Sequence, residues 1–171
     1  MGLANLEFSK IILGLAIALS IFLLIVVCLV YATTYHAPDI FPMPIVCPDT
    51  TPHLPQGKPI KIMSWNIQFM AGKNYVFYYD LLDGSGPDQR PSSQDIQHTL
   101  DQVAHIIKEE QPDIILLQEL DEGAKRTDKQ DQLQLLLQRL GSMYPCHTSA
   151  FYWKAAFIPH PKILGSVGMK L

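Results

Sequence analysis

From Ile11 to Tyr31 the chain carries no charged side chain, and Ser20 and Tyr31 supply its only hydroxyls. As a helix this run would extend about 31 Å, the thickness of one hydrocarbon core. Three structures can absorb such a segment: a membrane-spanning signal anchor, a cleavable signal peptide, or the buried helix of a soluble core. A signal peptide wants an apolar stretch of about 7–15 residues and a small-x-small cleavage site, whereas Ala32 here follows Val30 and Tyr31. A core helix in a domain of this size needs one polar face, and the run has none. The expected organisation therefore starts with a polar head (1–10) and a single-pass transmembrane signal-anchor helix (11–31), with the lipid bilayer as its partner. Lys10 flanks the run on one side, and on the other no Lys or Arg occurs before Lys58. By the positive-inside rule, resting here on one Lys, the N-terminus lies in the cytoplasm and the domain is extracytoplasmic.

Residues 32–57 hold six prolines in 26 positions. Proline removes a backbone donor and pushes the preceding residue to extended conformations. This stretch reads as a Pro-rich linker. Patterned sequence begins near Lys58, leaving residues 58–171 for a domain whose 12 basic and 13 acidic residues nearly cancel. That balance argues against a general DNA-binding protein, which needs a basic excess. Cys28 lies in the apolar run, and no Cys-x-x-Cys or zinc spacing exists. Cys47 and Cys146 could pair if the domain faces an oxidising compartment.

Within the domain, KIMSWNIQF has apolar residues in both alternating sets, as expected of a strand buried on both faces at its start. YVFYYDLL is a short helix or strand, and DGSGPDQRP a loop. A helix over about 93–110 is capped by Ser92 or Ser93, has Asp95 in its first turn and buries Ile96, Leu100, Val103, Ala104 and Ile107. Pro112 ends it, and DIILL (113–117) is a buried strand of the parallel type. A second helix is expected from about Asp128 to Leu140, with Thr127 and Gln130 as a capping box, Leu133, Leu136, Leu137 and Leu140 as its stripe, and Gly141 as its stop. CHTSAFYW (146–153) reads as another strand and IPHP (158–161) as a loop. The order is α/β.

Two polar residues stand at the ends of the apolar strands. Asn66 closes MSWN and Glu119 closes IILLQE. In open sheets ligand sites gather at strand carboxyl ends, so the two could converge; equally, Glu119 could be a strand end turned to solvent. His98 and His105 share a helix face and read as solvated. Lys154, Lys162 and Lys170, interleaved with Phe151, Tyr152, Trp153 and Phe157, fit an anionic cleft, a lipid-headgroup contact, or an ordinary strand and loop. Tyr144 reads as structural.

Met63-Ser64-Trp65-Asn66 followed by PDIILLQE, Pro112 to Glu119, with a helix between, resembles the opening of the endonuclease/exonuclease/phosphatase superfamily. That group includes deoxyribonuclease I, apurinic endonucleases, inositol polyphosphate 5-phosphatases and neutral sphingomyelinases. The resemblance covers about 58–171. It implies a deoxyribonuclease I-like fold, a four-layered α/β sandwich of which about half is present. It implies a hydrolase acting on phosphoric ester bonds with Mg²⁺, or Mn²⁺ in its place. Its substrate would be a nucleic acid, a phospholipid or an inositol phosphate. Glu119 would be a ligand of the catalytic cation, and Asn66 would sit beside metal and scissile phosphate, as catalytic and metal-site residues. Gln118 would pack or orient Glu119.

The family's later Asp-x-Asn motif and terminal Asp-His pair have no counterpart here: the histidines after Glu119 are His147 and His160, and neither follows Ser-Asp. The expectation is therefore an N-terminal fragment of a membrane-anchored, metal-dependent phosphodiesterase, phosphatase or nuclease, inactive by itself. The alternative is a non-catalytic membrane-tethered module or an inactive truncated remnant. No protein partner is evident.

Overall fold

The computed structural model describes residues 2–36, 38–49, 54, 56–75 and 91–151, with the backbone alone described for 2–7. The expected elements at 76–82, the loop that follows, the Lys and aromatic residues from 152 on and the loop at 158–161 lie outside the described residues. The chain divides into two units, Met1–His36 and Ala37–Leu171.

The first unit is one helix, α1 (Gly2–Thr33). Its stretch Phe8–Thr33 has mean hydropathy 3.2 and is long and apolar enough to cross a membrane. No described side chain of α1 is buried against protein. Two of its hydroxyls turn inward to their own backbone: Ser20 donates to Ala16 O at 2.9 Å and Thr33 to Leu29 O at 2.8 Å. An i−4 hydroxyl bond of this kind leaves no donor in need of water.

The second unit contains β1 (Ile62–Asn66), α2 (Ser93–Glu110), β2 (Ile114–Gln118) and α3 (Gln132–Leu140). β1 and β2 pair in parallel with Ile62 opposite Ile114 and Asn66 opposite Gln118. With α2 between them they form a βαβ unit with adjacent strands. Helix α2 runs as the sequence indicates. The Ser92 hydroxyl accepts from Asp95 N at its start, and Gln111 in the left-handed conformation (φ 46°) ends it before Pro112. Its apolar stripe forms the core with Ile67 and Met70 from the chain after β1 and with Leu136 and Leu140 from α3. Met63, Trp65, Ile115 and Leu117 pack on that core from one side of the sheet.

Three expectations need correction. β1 is not buried on both faces, nor is β2: Ile62 is 58% exposed, and Leu116, which pairs with Ser64, is 51% exposed. Among the described residues the helices cover one side of the sheet only, so the burial alternates with the pleat. α3 starts at Gln132, not near Asp128, and its cap is Asp131, which accepts from Gln134 N. The Thr127 hydroxyl instead donates to the buried Asp121 carboxylate at 3.1 Å, a group that cannot be left short of partners. Asp128 and Lys129 take left-handed conformations and break the helical path. Third, among residues 146–151 there is no strand, only an isolated bridge in which Val46 and His147 exchange backbone hydrogen bonds of 2.8 and 2.9 Å.

That bridge lies beside a disulfide between Cys47 and Cys146, and the Thr148 hydroxyl donates to Pro44 O at 3.1 Å. Part of the Pro-rich stretch is thus fastened to the domain rather than free. Tyr144 is structural as expected: its hydroxyl donates to Pro112 O at 2.8 Å, and burial, aided by the nearby Asp113 charge, pushes its phenol pKa up.

Candidate active site at the ends of the paired strands

The parallel register brings the carboxyl ends of β1 and β2 side by side. The ladder continues past both strands, with Ile67 N donating to Gln118 O at 3.1 Å and Phe69 N to Glu119 O at 2.8 Å. Here Asn66 and Glu119 meet: Asn66 Nδ2 donates to Glu119 Oε1 at 2.8 Å. Asn66 Oδ1 accepts from Gln68 N at 2.9 Å. A backbone N–H requires an oxygen, so this bond fixes which end of the amide faces Glu119. Both side chains are at the surface, and Glu119 Oε2 has no partner among the described residues.

The backbone at this point is unusual. Gln68, Phe69 and Met70 are successively left-handed, with φ of 49°, 43° and 62°, and Glu119 has φ 58°. The left-handed region costs an L-residue about 1–2 kcal/mol. Such conformations persist when their surroundings over-determine them, and here they do. Phe69 and Met70 are buried, the Arg126 guanidinium lies 3.5 Å from the Phe69 ring centroid, and Gln132 Nε2 donates to Phe69 O at 2.9 Å.

Behind the pair lies a buried polar network. The Asp121 carboxylate, 1% exposed, receives Arg126 Nε at 2.7 Å and Nη2 at 2.8 Å in a two-pronged pair, with Thr127 as a third donor. A buried carboxylate is tolerable when paired and hydrogen-bonded in this way. Gln132 Oε1 accepts from Asp121 N at 3.0 Å. Sequence reasoning did not single out Asp121, Arg126 or Gln132. The one available signal was Gln132 itself, a polar residue four and eight positions before Leu136 and Leu140 on the buried stripe of α3.

Gln118 does not orient Glu119. Its amide donates to Leu116 O at 3.3 Å and to Ser64 Oγ at 3.5 Å, because alternation along β2 aims it away from the residue that follows. His98 and His105 are exposed as expected, and His105 lies 3.3 Å from Glu109. Among the described residues no three His, Cys, Asp or Glu side chains cluster as a metal cage.

A second anchor holds the connection after the site. Asp95, in the first turn of α2, accepts from the Ser92 hydroxyl at 2.7 Å and from Asn74 Nδ2 at 3.1 Å, with Lys73 3.7 Å away. These contacts, the Ser92 bond foremost, lower its pKa.

No curated protein and no solved structure matches the chain. The sequence profile of the Endonuclease/Exonuclease/phosphatase family matches residues 63–167. This span begins inside β1 and takes in Asn66, α2, Glu119 and α3. It covers more than half of the 171 residues, and the chain is a member of the Endonuclease/Exonuclease/phosphatase family.

Proposed function

We propose that this chain belongs to a membrane-anchored, divalent-metal-dependent phosphoric ester hydrolase, with Glu119 as metal ligand and Asn66 as the group that aims it. The observation that carries this reading is the 2.8 Å Asn66–Glu119 hydrogen bond at the carboxyl ends of two adjacent parallel strands. The donor set fits a hard cation. Mg²⁺ takes oxygen ligands and usually needs only one or two carboxylates, with water and phosphate completing its shell. Glu119 offers a surface carboxylate whose Oε1 is steered by Asn66 while Oε2 stays open. Asn66 Oδ1 is committed to Gln68 N, so Asn66 acts through orientation of the carboxylate and of the phosphate beside it rather than as a ligand. A bound Mg²⁺ or Mn²⁺ would polarise a phosphoryl oxygen and steady its developing charge.

The remaining features extend the same reading. Helix α1 crosses the bilayer, and the domain lies outside the cytoplasm. The Cys47–Cys146 disulfide supports that side, since such bonds persist in oxidising compartments. The exposed sheet face bearing Ile62 and Leu116 fits the inner face of a four-layered sandwich completed by further strands, because parallel sheets are normally covered on both sides. The substrate is a phosphate ester of a nucleic acid, a phospholipid or an inositol phosphate.

Calorimetric titration of the 171-residue chain with Mg²⁺ or Mn²⁺ tests the site. Wild type should bind, and Glu119→Gln, which keeps the shape and removes the charge, should weaken binding sharply. Equal binding by a folded Glu119→Gln chain would make Glu119 a plain strand end. Among the described residues no histidine or further carboxylate stands beside the Asn66–Glu119 pair as a general base, so phosphodiester turnover by the 171-residue chain is assayed beside the titration. In a hydrolase that turns over a phosphoric ester, Glu119→Gln should cost about 10²–10³ in rate, the usual loss for one preorganised stabiliser of transition-state charge.

A further inference from the structure

We propose that Gln132 is a positioning residue for the Asn66–Glu119 pair, an inference that rests on the hydrolase reading of that pair. Gln132 opens α3 and has no exposed surface. It occupies a stripe position where Leu136 and Leu140 are plain hydrocarbon, so packing alone does not call for an amide there. Burying a primary amide is unfavourable unless its polar atoms are matched, and here both ends are used. Nε2 donates to Phe69 O at 2.9 Å and Oε1 accepts from Asp121 N at 3.0 Å. The backbone N–H of Gln132 returns to Asp121 O at 3.0 Å, closing a ring that fixes this side chain against the 119–121 segment.

The two groups that Gln132 bridges belong to the two halves of the site. Phe69 is the middle residue of the left-handed turn after β1, and its neighbour Gln68 supplies the N–H that orients the Asn66 amide. Asp121 lies two residues after Glu119. Phe69 is held from both sides of its own residue, with its N–H on Glu119 O and its carbonyl on Gln132. One buried carboxamide therefore sets the spacing between the turn that aims Asn66 and the segment that carries Glu119. A side chain of equal volume without donor or acceptor would fill the same space and leave that spacing unset.

The test uses the full 171-residue chain in lipid nanodiscs, followed by NMR of the Asn66 side-chain amide. Three variants are compared: Gln132→Met, which keeps the shape and loses both bonds, Gln132→Glu, which keeps the acceptor and loses the donor at neutral pH, and Leu136→Ala as a core-destabilised control. In Gln132→Met the Asn66 Nδ2 protons should exchange with solvent roughly ten-fold faster, the factor expected when about one ordinary hydrogen bond is lost. Leu136→Ala should lower the melting temperature without moving that signal. An unchanged Asn66 amide in folded Gln132→Met, or an equal change in Leu136→Ala, would overturn the proposal. If Gln132→Met does not fold, Gln132→Glu decides by the same criterion. Mn²⁺ broadening of the Glu119 and Asn66 signals in wild type reads the metal site separately, so its absence would count against the hydrolase reading and leave the Gln132 result standing.

Discussion

Helices α1 and α2 are both well formed, yet they solve opposite problems. Over Ile11–Tyr31 α1 is apolar on every side and presents that surface outward, with 0% of its most apolar window buried. α2 confines its apolar residues to one stripe, and Ile96, Leu100 and Ile107 have 1% or less of their surface exposed. Hydrophobicity alone does not distinguish them; its angular distribution does. A stripe identifies a helix with water on one side and protein on the other, while a helix apolar all round suits a surrounding that is apolar on every side, a membrane or the interior of a large protein. The difference extends to the polar atoms: α1 returns the Ser20 and Thr33 hydroxyls to its own carbonyls, whereas α2 uses its end groups to bind other segments.

The comparison breaks most sharply if charge is placed in α1. Two arginines, at Leu19 and Leu23, should each cost about 2.5–3.5 kcal/mol of insertion and release the chain from membranes. Carbonate extraction of cells expressing the wild type and the double variant measures this. Wild type should stay in the pellet, and its release, or a mature N-terminus after Ala32, would show that α1 is not an anchor.

The next effect belongs to the second unit alone. The Cys47–Cys146 bond spans 99 positions, and closing a loop of about that length stabilises by up to roughly 4.7 kcal/mol in the chain-entropy account. Reduction, or Cys47→Ser, should lower the melting temperature of the domain and leave membrane partition unchanged. A thiol reagent unable to cross membranes should label the pair only after reduction and from the outer side.

Single truncations sharpen the contrast further. Leu100→Ala, at a site with 0% exposure, should destabilise the domain by about 2–5 kcal/mol. Leu24→Ala, at a site 63% exposed on α1, should leave the domain's denaturation midpoint untouched. Equal shifts would mean that α1 is packed into the domain core.

What the sequence disclosed follows the same division between local and distant causes. α2 was legible, with its cap narrowed to Ser92 or Ser93, because its cap, stripe and stop are all local: a serine at the start, three- and four-residue spacing of apolar side chains, Pro112 beyond the end. The rule that sites gather at strand carboxyl ends allowed Asn66 and Glu119 to meet but equally allowed Glu119 to turn to solvent, and it is the parallel register that brings the two side chains together. The start of α3 departs from its local pattern because Thr127 is drawn to Asp121, six residues away, and the capping-box spacing does not record that pull. The left-handed run at Gln68–Met70 was invisible for a related reason. None of those residues is Gly or Asn, and the conformation is imposed by Glu119, Arg126 and Gln132 from elsewhere in the chain. The Cys47–Cys146 pair was left open, since only the folded chain brings residues 99 apart together.

Acid provides the smallest and most local separation of the two helices. Asp95 and Glu110 bracket α2. The pKa of Asp95 is lowered chiefly by the Ser92 hydroxyl, then by Asn74 and Lys73. That of Glu110 is lowered by its hydrogen bond and charge contact with Lys61, whose Nζ also donates to Glu110 O. Both groups therefore hold protons less readily folded than unfolded. The stability they add is present above the ordinary carboxylate pKa of about 4 and is lost as pH falls through the lower folded values. Between pH 5 and pH 2 amide hydrogen exchange should speed up in the first and last turns of α2. The stretch Phe8–Thr33 contains no Asp or Glu, so the exchange of α1 in a bilayer should not follow. Asp95→Asn should flatten the profile at the first turn only and Glu110→Gln at the last turn only. A profile unchanged by both would show that the acid response arises in groups other than these two ends.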